Sequence, residues 1–167
     1  MTIIPHLLRA RDGSAAAEMA MVLPLMLILI FGAFELGYYF LSEHVVDKAV
    51  RDASRYAARL PLSDYPGCAS VDSTAEQQIQ RLARTGDPDG TTARLAGWTA
   101  DSMTTVAVSC PGTGSYANAG IYTDFPNGAP VVTVTAQVPY NTLFGLLGLG
   151  AATLTLNASQ QAAVIGA

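Results

Sequence analysis

The sequence predicts an α+β fold, in which one long N-terminal helix changes from an apolar half to an amphipathic half that packs on a small antiparallel β-sheet. Three observations support this prediction. No residue from 19 to 34 is charged. Apolar residues then recur at three- and four-residue spacing between residues 45 and 60, as on one face of a helix. Finally, residues 131–138 (VVTVTAQV) alternate with the period of two that is typical of a strand.

The apolar run is long enough to cross a hydrocarbon core of about 30 Å as a helix. A cleavable secretory signal is the competing interpretation, and it would place its small residues after the apolar run. Here the small residues 13–17 come first, so a cut among them leaves the helix on the mature chain. We therefore divide the chain into a leader (1–13), a transmembrane helix (14–41) and an outer α+β domain (42–167).

The amphipathic half has charged residues opposite its apolar face. Asp47 with Arg51, and Lys48 with Asp52, have the i,i+4 spacing of weakly stabilising ion pairs. We interpret these charges as a solvated face without a function of its own, and we expect Pro61 to end the helix. The apolar face comprises Val45, Val46, Ala49, Val50, Ala53, Tyr56, Ala57 and Leu60.

Beyond the long helix, the pattern predicts a short helix and three strands. Ser73 and Glu76 fit a capping box for a helix over residues 73–84, which Gly86 would end. The pattern predicts three strands, at residues 103–109, 131–138 and 152–159. In the third strand, Leu154, Leu156 and Ala158 are expected on the apolar face. A sheet of this size has one face to cover, and the amphipathic helix has the matching face.

Cys68 and Cys110 are the only cysteines. One follows the long helix and the other ends the first predicted strand, so a disulfide would tie the helix layer to the sheet. We favour that disulfide, which implies an oxidising compartment, over the alternative of two unpaired buried thiols.

Several functional classes are excluded by composition. The spacing of the two histidines and two cysteines matches no zinc pattern, and no nucleotide-binding or hydrolase motif is present. The net charge of −4 argues against nucleic acid as a partner. Residues 87–90 (DPDG) fit an ordinary turn, with a calcium ligand set as the alternative. We expect neither enzymatic activity nor a cofactor.

Two residues of the apolar region stand out. Glu18 is a carboxylate beside the apolar run, where a charge is costly and is usually functional; a glutamate that merely lies at the headgroup level is the alternative. Pro24 lies inside the span and cannot donate a hydrogen bond to the carbonyl of Ala20. We interpret Pro24 as a local kink or loosened turn, with a tolerated kink of no function as the alternative.

The segments GSAAAEMAMVLPLMLILIFGAFELGYYF (13–40) and AVRDASRYAA (49–58) resemble the TadE-like family of tight-adherence pilus proteins, which are pilin-like components. The resemblance implies a pilin-like fold and cleavage between Gly13 and Ser14 by a prepilin peptidase. Glu18 then becomes the fifth mature residue. It could pair with the new α-amino group of Ser14, in the same subunit or in a neighbour, and so set the axial register between subunits.

The orientation follows from the resemblance rather than from charge. The leader has two basic residues and the far side of the span has four within about twenty residues, which alone would favour a cytoplasmic outer domain. The prepilin-like leader and the cysteine pair instead favour a cytoplasmic N-terminus and a periplasmic outer domain, with one span in the bacterial inner membrane.

The sequence therefore predicts a pseudopilin or minor pilin of a tight-adherence pilus, with a structural role in pilus assembly and surface attachment. Its expected partners are the prepilin peptidase, other pilin and pseudopilin subunits, the inner-membrane assembly platform and membrane lipid. The alternative is a permanently anchored single-pass membrane protein whose outer domain binds a ligand or partner. Loss of residues 1–13 would distinguish the two functions.

Overall fold

The structure, a computed structural model, describes residues 12–110, 120–123, 125, 128–143 and 154–166, with the backbone alone for residues 12–14. Most of the predicted leader lies outside these residues. The chain divides into two compact units between Tyr38 and Tyr39. Helix α1 (Asp12–Arg59) contributes to both units, so the first part of the predicted α+β arrangement, one long N-terminal helix, is confirmed. Here the N-terminal unit ends at Tyr38 and the C-terminal unit begins at Tyr39.

The amphipathic half of α1 supplies one wall of the hydrophobic core. Five of the eight apolar side chains predicted on this face are buried, while Val45, Tyr56 and Leu60 are partly buried. They join side chains of the sheet in one buried cluster. The fully buried members from α1 are Val46, Ala49, Val50, Ala53 and Ala57.

The sheet supplies the opposite wall. Strands β1 (Thr104–Ser109), β2 (Val131–Pro139) and β3 (Thr155–Ala163) form an antiparallel sheet in the order β1-β2-β3. In the central strand, every second side chain is fully buried, which confirms the alternation predicted for residues 131–138. With α1, this sheet completes the predicted α+β fold.

The third strand lies further along the chain than predicted. Residues 152–153 fall outside the described residues, and β3 continues to Ala163, which pairs with Val131. Leu156 is buried, as expected, whereas Leu154 precedes β3 and is 47% exposed, so its predicted place on the apolar face of the strand is wrong. The residues from 157 to 163 have little apolar alternation, so the end of this strand is determined by backbone pairing with β2.

Helix α2 (Ser73–Thr85) begins with a different cap from the one predicted. The N-cap is Asp72, whose carboxylate accepts hydrogen bonds from the backbone N–H groups of Thr74 and Ala75. These bonds favour the ionised form and lower the pKa of Asp72. The capping box beginning at Ser73 is therefore wrong by one residue, because Asp72 and Ser73 are both favourable N-cap residues. Gly86 ends the helix in the left-handed conformation, as predicted.

The end of α1 is held by two later segments. The buried Tyr65 hydroxyl donates to the carbonyl of Ala57 at 2.6 Å, and the backbone N–H of Ile165 donates to the carbonyl of Ala58 at 2.8 Å. Both carbonyls lie in the last turn of α1, where acceptors lack helical donors. Burial, followed by the negative charge of Asp64, raises the pKa of Tyr65.

Trp98 belongs to the core and has no exposed surface. The preceding residue, Gly97, lies against β2 so closely that a β-carbon there would come within 2.1 Å of the Pro139 carbonyl oxygen. Gly97 therefore allows the loop before β1 to bring Trp98 into the core.

Candidate membrane anchor and assembly site

The N-terminal part of α1 exposes its apolar side chains on all sides. Every side chain described from residue 15 to residue 34 is exposed. Among the described residues, α1 is the one helix that is long and apolar enough to cross a membrane, and its most apolar window has a mean hydropathy of 2.3 with nothing buried. A core helix of a soluble protein would be mostly buried, so this surface fits a single-pass membrane protein.

Glu18 is the one charged residue between positions 13 and 34. It lies on α1 with an exposed side chain, among neighbours that are exposed and uncharged. Ser14 lies four residues earlier on the same helix, so about one turn separates the two positions. Cleavage after Gly13 would therefore create a positive charge within one turn of this carboxylate.

The predicted cleavage junction between Gly13 and Ser14 lies within α1, where the structure describes the backbone. Cleavage at this junction stays a prediction.

Pro24 lies inside α1, and the helix continues on both sides of it. Because proline has no N–H group, the helical hydrogen bond to the carbonyl of Ala20 is missing. The functional kink that we predicted at Pro24 stays a prediction. Its position six residues after Glu18 places the weakened turn between that carboxylate and the rest of the apolar run.

The C-terminal unit contains the predicted disulfide between Cys68 and Cys110. Cys68 ends the short 3₁₀ turn Pro66–Cys68 after α1, and Cys110 directly follows β1. Their Cα atoms are 5.8 Å apart, within the usual range for a disulfide. The bond therefore joins the segment that follows the helix to the first edge of the sheet.

The charged face of α1 differs from the prediction. Arg51 pairs with Asp47, as predicted, but Asp52 contacts Arg94 at 3.5 Å rather than pairing with Lys48. Arg94 comes from the loop after α2, so its proximity to α1 arises only in the folded chain.

Arg94 also lines a surface cleft of about 310 Å³ with Arg55 and Arg59 of α1. Sequence reasoning missed this cluster. The available signal was the four-residue spacing of Arg51, Arg55 and Arg59.

No metal-binding group is evident in the loop considered for calcium. The carboxylate of Asp87 accepts a hydrogen bond from the backbone N–H of Asp89 at 2.9 Å. This is the local bond of a turn. Within the described ranges, no group of three or more potential metal ligands occurs.

Comparison with known proteins bears on α1. Residues 13–55 match the family model described as TadE-like protein. The matched segment begins at the predicted junction and contains Glu18, Pro24 and most of the amphipathic half. Comparisons with curated proteins and with solved structures give no significant match. Over these residues, which make up less than half of the chain, α1 is similar to TadE-like proteins.

Proposed function

We propose that this chain is a pseudopilin or minor pilin that is cleaved after Gly13, held in the inner membrane by α1, and then incorporated into or used to initiate a tight-adherence pilus. The main support is the helix matched by the family model. From residue 15 to residue 34 the side chains of this helix are exposed on all sides, and the one charged residue there is Glu18. The role is structural, and we propose no catalytic activity or cofactor.

The exposed apolar surface suits two successive environments. Lipid covers it while the subunit is in the membrane, and helices of neighbouring subunits cover it after assembly. Both environments are apolar, so the transfer loses little of the free energy that excludes these side chains from water. The weakened turn at Pro24 gives the first residues of the mature helix freedom to adjust during this transfer.

Glu18 sets the axial register between neighbouring subunits. Buried among apolar helices, an unpaired carboxylate costs several kcal/mol. Pairing with the α-amino group of Ser14 in a neighbouring subunit removes much of that cost. Because only one axial offset brings the two charges together, the pair selects a single arrangement.

The C-terminal unit is proposed to be periplasmic. A disulfide between Cys68 and Cys110 is formed and maintained in an oxidising compartment. The prepilin-like leader is then cytoplasmic, where the peptidase and the assembly platform act on it. This orientation opposes the count of basic residues beside the span.

Processing provides the experimental test. We expect the membrane-bound chain to lose residues 1–13, and Gly13→Leu to abolish this loss because the peptidase pocket excludes a side chain. Gly32→Leu is a matched control on the same helix, since a β-carbon at Gly32 meets no atom within 4 Å. Intact-mass spectrometry should show cleavage of the wild type and of Gly32→Leu only. Cleavage of Gly13→Leu at the same bond, or a wild type that keeps Met1 or Thr2, would refute the proposed processing and favour a permanently anchored protein.

A further inference from the structure

The C-terminal unit has a charged cleft that the proposed assembly role does not use. It lies beside the second half of α1, at the end of α2, and has a volume of about 310 Å³. Its lining comprises Asp52, Arg55, Tyr56, Arg59, Leu82, Gly86 and Arg94. Three guanidinium groups therefore face one carboxylate, in a chain whose overall net charge is −4.

The arginines of this cleft differ from those elsewhere in the C-terminal unit. Arg51 pairs with Asp47, while Arg81 and Arg84 both pair with Asp101. In the described part of the chain, Arg55 and Arg59 have no carboxylate within 4 Å, and both are exposed.

Arg94 has only a long contact with Asp52, although its side chain is just 21% exposed. The cleft therefore carries about two positive charges that Asp52 does not neutralise.

Two other lining side chains, those of Arg94 and Tyr56, are held in place by further contacts. The guanidinium group of Arg94 lies across Gly86, where a β-carbon would come within 2.8 Å of its Nη2 atom. The backbone N–H of Arg94 donates to the carbonyl of Arg84 at 2.8 Å. The Tyr56 hydroxyl donates to Gln78 at 3.0 Å, which restrains the ring that lines the cleft. A preorganised wall of this kind lowers the entropic cost of binding.

Guanidinium groups bind carboxylates and phosphates through paired hydrogen bonds. A lipid phosphate is the less suitable ligand because Arg55 follows Leu41, the last residue of the predicted span, by fourteen residues. That separation corresponds to about 21 Å along a helix. The headgroup layer on one side of a bilayer is only about 5–8 Å thick.

We propose that this cleft binds an acidic segment of another protein, with neighbouring Asp or Glu carboxylates paired to Arg55 and Arg59. Arg94 provides a third, less exposed positive charge in the site. Tyr56 and Leu82 provide apolar surface for the methylene groups of the bound side chains. The assignment rests on this cleft alone and does not depend on pilus assembly.

The test uses the full chain in neutral detergent micelles and fluorescently labelled hexaglutamate as the probe. Arg55→Gln/Arg59→Gln removes both unpaired guanidinium groups. Lys48→Gln/Arg51→Gln removes two positive charges from the same helix outside the cleft, so it is a control matched in charge and number. Because neither cleft arginine has a partner among the described residues, the cleft variant should keep the circular dichroism spectrum of the wild type.

We expect the cleft variant to bind hexaglutamate about tenfold more weakly than the wild type, because it loses two charge-assisted hydrogen-bonding groups at once. The control should bind within about twofold of the wild type. Equal loss in both variants would show attraction by net charge alone and overturn the proposal. The proposal would also be overturned if the chain bound phosphatidylglycerol vesicles but not hexaglutamate. Equal competition by inorganic phosphate and hexaglutamate would overturn it as well.

Discussion

Removal of the disulfide between Cys68 and Cys110 should destabilise the C-terminal unit substantially. The bond closes a loop between residues 42 positions apart, which contains α2, Trp98 and β1. In the chain-entropy model, a loop of this size restricts the unfolded chain enough to contribute about 4 kcal/mol at 25 °C. Both cysteines are partly exposed, so Cys68→Ser/Cys110→Ser adds little cost from burying a hydroxyl.

Urea unfolding of the full chain in micelles measures this effect, with fluorescence of the single tryptophan, Trp98, as the probe. With a urea dependence of about 2 kcal/mol per molar, the midpoint should fall by about 2 M. Reduction of the wild-type disulfide should produce a similar fall. A change below about 0.5 M in both experiments would refute the reasoning, because the loop between the cysteines would then not be restrained by the bond.

Three further predictions address other contacts. Gly97→Ala places a β-carbon against the Pro139 carbonyl and should lower stability by about 1–3 kcal/mol in the same assay. Gly37→Ala, with open space around it, should have no such effect. The raised pKa of Tyr65 means that the folded chain keeps a proton that the unfolded chain loses near pH 10. The contribution of this hydroxyl to the free energy of unfolding is therefore complete below pH 10 and is lost as the pH rises further. The urea midpoint of the wild type should therefore fall between pH 9 and pH 11, and that of Tyr65→Phe should fall by less. An equal fall in the two proteins would show that Tyr65 does not cause the pH dependence. Pro24→Ala should leave membrane insertion and cleavage intact while reducing pilus number in electron micrographs. Normal piliation would refute the role of Pro24.

Sequence patterns predicted those parts of the fold in which burial follows a regular period. The face of α1 that includes Ala49 and Ala53, and the alternation of Val132 and Val134, are direct consequences of helix and strand geometry. The end of β3 and the N-cap at Asp72 could not be fixed in this way. The first depends on backbone pairing with β2, and the second on a choice between two adjacent favourable residues.

The candidate sites also differ in whether a local sequence pattern could predict them. Glu18 and Pro24 are noticeable in sequence because each is unusual within an apolar helix, whereas the roles proposed for them come from the family resemblance. The arginine cleft depends on Arg94 lying beside a helix more than thirty residues earlier in the chain. No local pattern predicts such a contact.

The central claim is that this chain becomes a processed subunit of a pilus, and the most direct measurement is the intact mass of the chain recovered from filaments sheared from the cell surface. The account predicts a chain that begins at Ser14 and keeps the disulfide, present in the filament fraction and lost from it in the Gly13→Leu strain. A chain that retains residues 1–13 and stays entirely in the membrane fraction of piliated cells would contradict it.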